Sequence, residues 1–178
     1  MNLKQLTSKF YADYKAAELT REHIAVLAFH ILAGFFFYAA YAFGIASKES
    51  LISWIHFYYI LSPIILFISF YEELRNYKVY LLWLLTATLQ FLVFLFLKND
   101  PVWSAELGNS LTPVKALFVM LISLQAGRQL FMLLHPGELI IPYWRTSWFD
   151  EDDNRRISWL DIFFSILIFA VTVLACLF

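Results

Sequence analysis

The sequence predicts an all-α, polytopic integral membrane protein with four to five transmembrane helices behind an N-terminal amphipathic helix. Three observations predict it. Hydrophobic residues make up 61% of the 178 residues and charged residues 15%, where a soluble domain carries about 25% charged residues. Mean hydropathy is +0.67. The apolar residues are grouped in blocks of about twenty, the length that crosses ~30 Å of hydrocarbon at ~1.5 Å per helical residue. Inside lipid, backbone groups must be satisfied within the segment, so these blocks are expected to be helices.

Composition also limits function. A net charge of −1 offers no electrostatic footprint for nucleic acid. The single cysteine, Cys176, makes neither an intrachain disulfide nor a cysteine-based metal site. No P-loop, dinucleotide fingerprint, HExxH or GxSxG motif is present in the chain, so no catalysis is expected.

Residues 1–22 form a polar lead in which Leu3, Leu6, Phe10, Tyr14 and Ala17 recur at three- or four-residue intervals. That spacing predicts one apolar helical face lying at the membrane surface. "AYA" at 40–42 resembles a signal-peptidase site, but acidic residues in so long a lead argue against cleavage. A four-helix transmembrane core is expected over 23–135, in segments 23–46, 51–70, 78–97 and 113–135. Pro113 suits a first helical turn, and "HPG" at 135–137 stops the fourth segment. Residues 136–156 are read as an interfacial aromatic elbow followed by an acidic loop. Residues 157–178 form the C-terminal hydrophobic helix, which spans in the five-helix version and lies on the surface in the four-helix version.

Basic residues set the orientation. Lys4, Lys9, Lys15, Arg21, Arg75, Lys78, Arg128, Arg145, Arg155 and Arg156 fall on one side, against Lys48, Lys98 and Lys115 on the other. The bias places the N-terminus in the cytoplasm of a cell bearing this protein in its inner membrane.

Polar groups at membrane depth are costly and therefore candidates for function. Arg128, Gln125, Gln90 and His30 form the candidate pore or packing site. Arg128 is expected to snorkel toward the interface. Gln90 and Gln125 are expected to share an amide hydrogen bond between antiparallel helices, and His30 is expected to be satisfied within the bundle, with a proton-sensitive site beside Arg128 as the alternative. Ala40 with Gly44 and Ser123 with Gly127 give small-residue spacing for close helix approach, within one chain or between chains. Tyr143, Trp144, Arg145 and Trp148 are candidate partner or interface contacts, because aromatic residues and arginine suit both headgroups and binding hot spots.

"DEDDNRRISWLD", 150–161, has the spacing of a calcium loop, with Asp150, Asp152, Asn154 and Asp161 as candidate ligands. Arg155 stands where such a loop needs glycine, and Asp161 is shorter than the usual bidentate glutamate. Position offers the simpler reading, that the acidic run at 150–153 caps the last helix and favours the positive end of its dipole.

The function expected is that of a non-enzymatic small membrane subunit, without cofactor, forming a homo-oligomer or binding a protein on the cytoplasmic face. A channel-like, sensing or scaffold component of a defence, secretion or respiratory assembly fits that description. A stand-alone transporter or ion channel is the alternative. A haem-binding redox protein is a third reading, weakened because His30 and His56 are expected at opposite depths.

Overall fold

The computed structural model describes residues 21–105, 108–135, 137–142, 149–150 and 155–178. The expected amphipathic helix of the lead falls outside the described residues, as do Tyr143, Trp144, Arg145 and Trp148.

The architecture is helical, with five helices long and apolar enough to cross a membrane. They are α1 (Arg21–Ala42), α2 (Lys48–Ser69), α3 (Tyr77–Leu97), α4 (Ala116–Leu134, led by a 3₁₀ turn at Thr112–Lys115) and α5 (Trp159–Leu177). A single helical turn at Tyr71–Leu74 joins α2 to α3. The only strands among the described residues are two-residue antiparallel pairs, Ser104–Ala105 with Gly108–Asn109 and Phe149–Asp150 with Arg155–Arg156.

Local chemistry places the helix ends. The Ser47 side chain accepts from Ser50 N at the start of α2, and Asn76 accepts from Lys78 N at the start of α3, each satisfying an orphan N–H of a first turn. Gly44 ends the turn after α1 at φ +60, where a side chain would be strained. A Cβ there would touch nothing within 4 Å, so Gly44 turns the chain and packs against no helix within it. Gly127 does pack: a Cβ would lie 2.8 Å from Ile168 Cδ1 on α5. The small residue lets α4 and α5 approach within the chain.

Two apolar clusters build the interior. One joins α2, α3, α4 and α5 around Phe67, Trp83, Met120, Leu124, Phe131 and Phe164. The other lies toward the opposite end, around Ala40, Ile55, Tyr59, Phe94 and Trp103. Helix α1 takes the smallest share: 11% of its most apolar window is buried, against 28% to 39% in the other four helices.

The segment after α4 departs from the expected interfacial elbow. Leu139, Ile140 and Ile141 are buried, Leu139 completely, and Leu139 and Ile141 join the larger core cluster. A buried segment without regular secondary structure has no ladder to satisfy its backbone polar groups. Side chains supply the partners. The Tyr71 hydroxyl donates to Leu139 O, and Ile140 N donates to Asp161 Oδ1 at 2.9 Å.

Candidate functional site

The four polar residues expected to share one site separate into two clusters. The first, a clasp, closes the bundle end formed by the C-terminus of α4, the N-terminus of α5 and the turn between α2 and α3. Arg128 is 6% exposed, so it does not snorkel. Its guanidinium turns inward and donates to Glu138 Oε1. Arg75 Nη2 donates to Glu138 Oε2 at 2.9 Å, so one carboxylate bridges two arginines. Gln125, one turn before Arg128 on α4, accepts from Arg128 Nη1 at 3.4 Å. A buried charge needs such a partner because the alternative is an uncompensated ion in a medium that solvates it poorly.

The carboxyl of Glu138 responds to opposing forces. Burial pushes its pKa up, but the charges of Arg128 and Arg75 and their hydrogen bonds outweigh burial and hold it below the ordinary value. Glu138 is therefore ionised wherever the clasp is intact at neutral pH. Nearby, His23 Nε2 lies 3.8 Å from Glu73 Oε1.

Asp161 completes this end. It is fully buried and forms a capping box, taking Ser158 N at 2.8 Å and Ser158 Oγ at 2.6 Å while Ser158 Oγ accepts Asp161 N. The carboxylate also holds Ile140 N. Its oxygens are thus committed to the fold, which removes the expected twelfth ligand of a calcium loop. Asp152 and Asn154 lie outside the described residues, and the backbone of Asp150 pairs with that of Arg155. The cap of α5 comes from Ser158 and Asp161 rather than from the acidic run before them. No group of three or more potential metal ligands occurs among the described residues.

The second cluster surrounds His30, which is 3% exposed in the middle of α1. The amide of Gln90 on α3 meets His30 Nε2 at 2.8 Å, and the hydroxyl of Tyr58 on α2 meets Nδ1 at 2.7 Å. An amide nitrogen can only donate, so Nε2 accepts, Nδ1 carries the proton, and Tyr58 Oη accepts from it. The ring stacks on Tyr58 with centroids 5.5 Å apart and lies 5.3 Å from Trp83. Gln90 therefore does not bond Gln125, and His30 does not face Arg128. Gln90 faces α1, while Gln125 is held by the arginine on its own helix.

His56 Nε2 donates to Ser110 O at 2.7 Å, and His135 packs its ring 5.0 Å from Phe131 while its Nδ1 is buried without a hydrogen-bond partner. Both ring nitrogens of His30 are engaged, so His30 is not free to serve as an axial haem ligand.

Cavities open on the flanks of α1. One, of about 290 Å³, lies between α1 and α2 and is lined by His30, Phe57, Tyr58, Ser62 and Trp83 among others. Another, of about 310 Å³, lies between α1 and α3 and includes Tyr59, Thr86 and Gln90. Cavities in this size range, mostly apolar with a few polar groups, suit small molecules. Two buried side-chain atoms here lack a hydrogen-bond partner, Ser62 Oγ and Gln90 Oε1.

Fold and clusters together define a class, a helical protein with five helices apolar enough to cross a membrane and two buried polar centres. Comparison with protein-family models, with curated proteins and with solved structures gives no match.

Proposed function

We propose that this chain is a non-catalytic inner-membrane subunit, with its N-terminus in the cytoplasm, that works by assembling with further chains through α1. The observation that carries the reading is the position of α1. It buries the smallest share of its length within the chain and presents Phe35, Phe36 and Tyr38 outward, each at least half exposed. Its inner face is nevertheless fixed by His30, so the outward face is held in a defined orientation. Large rigid aromatic side chains on a fixed face are the material of helix–helix interfaces.

The division of Arg128 and Gln125 from Gln90 and His30 weighs against a stand-alone channel, since those four groups do not line one path. The test is the particle mass after extraction in native lipid. The reading expects an oligomer or a complex with a second protein, reduced toward a monomer by Phe35→Ala with Phe36→Ala. A monomer with no co-purifying protein would remove the reading.

A further inference from the structure

We infer that the cavity between α1 and α2 is a binding site for a membrane-dissolved molecule with a flat ring and a carbonyl acceptor, of the quinone class. The inference is independent of the assembly reading. It rests on one hydroxyl. In the helices, Ser53, Thr86, Thr88, Ser165 and Thr172 each donate to the carbonyl four residues back. That back-bond is how a hydroxyl is satisfied where no water reaches. Ser62 makes no such bond. Its Oγ is buried and without partner, and the side chain lines the cavity.

The surroundings narrow the ligand. Phe29, Phe57, Tyr58, Phe70 and Trp83 contribute aromatic walls to the same cavity, which favour a flat ring over a bulky saturated body. His30 offers no free cation, because both of its nitrogens are bonded to neutral groups. A carboxylate or phosphate headgroup therefore has no counter-charge here, and an uncharged acceptor does. In the arrangement where His30 Nδ1 donates to Tyr58 Oη, the Tyr58 O–H becomes a second donor beside Ser62. Depth is consistent with this. His30 lies nine residues into α1, about 14 Å along the axis, near the middle of ~30 Å of hydrocarbon. Glycerolipid ester carbonyls stay at the interface, whereas a quinone-type ring enters the core.

The test uses the full chain in lipid nanodiscs, titrated calorimetrically with decyl-benzoquinone and with decylbenzene, which has the same tail and ring size without carbonyls. Saturable quinone binding at one site is expected, weakened about fivefold by Ser62→Ala, the loss of one neutral hydrogen bond. Decylbenzene should bind the native chain more weakly than the quinone. Because Ser62 bonds nothing in the protein, Ser62→Ala should keep the native melting temperature. Absence of saturable binding, equal quinone affinity in the native chain and Ser62→Ala, or equal affinity for the two probes would overturn the inference. Equal affinity would mean that an acyl chain fills the cavity.

Discussion

The clasp at Glu138 and the cluster at His30 are both buried and polar, yet they use their polar atoms differently. In the clasp, charges meet charges and backbone meets side chain: Glu138 bridges Arg128 and Arg75, and Asp161 serves α5 and the buried segment 139–141 together. Around His30 the groups are neutral, and Ser62 Oγ and Gln90 Oε1 remain without partners beside cavities. In the clasp one atom, Arg128 Nε, is buried without a partner, and the charged groups otherwise spend their bonds on holding the fold together. A buried centre with polar atoms to spare has room for something else.

The largest effect should follow from breaking the clasp. Glu138→Ala leaves Arg128 buried without its carboxylate, and losing one partner of a buried pair costs about 3–5 kcal/mol. Denaturant unfolding in detergent should show a loss of that order. A change below about 1 kcal/mol would mean that water reaches this end. Asp161→Ala should rank next, at about 1–2 kcal/mol for a lost cap, with faster hydrogen exchange at Ile140 as its local signature.

Acid provides a gentler way into the same centre. The folded pKa of Glu138 is depressed, so the clasp contributes its full stability above the ordinary carboxyl value of 4.5. That contribution is lost as pH falls through the lower folded value. Stability attributable to this group should therefore be flat from neutrality to about pH 5 and fall below it. Glu138→Gln should abolish that acid-sensitive part. An unchanged acid profile in the variant would assign the sensitivity elsewhere.

Helix packing gives a smaller effect. Gly127→Ala drives a methyl against Ile168 Cδ1 and should cost about 1 kcal/mol. Adding Ile168→Val, which removes that atom, should restore most of the loss in a double-mutant cycle. Smallest of all is Ser62→Ala, expected within about 0.5 kcal/mol of the native chain, in contrast to every substitution in the clasp.

The helices were legible because length and apolarity alone define them, and their bounds lie within a few residues of those expected from the sequence. Gly127 was legible as a packing position, though only the side chain of Ile168 identified the facing helix. The partner of Arg128 was not. Glu138 follows "HPG", outside every apolar segment, and hydropathy gives no sign that the chain turns back into the bundle. One signal was available: an arginine seven residues inside a helix requires a carboxylate, and "GELII" places one beside three apolar residues. The pairing of Gln90 with His30 depends on which faces of α1 and α3 meet, and an α3 that is apolar all round does not reveal this. The shortness of Asp161 already argued against a calcium ligand, but its part in the cap was hidden because the acidic run ahead of it offered other carboxylates.

The most direct test of the central claim is native mass spectrometry of the full chain released from membrane in its own lipid. The expected mass lies above that of one 20.9 kDa chain, from further copies or from a second protein, and shifts toward that single-chain mass in the Phe35→Ala, Phe36→Ala variant. A single 20.9 kDa species in both proteins would contradict it.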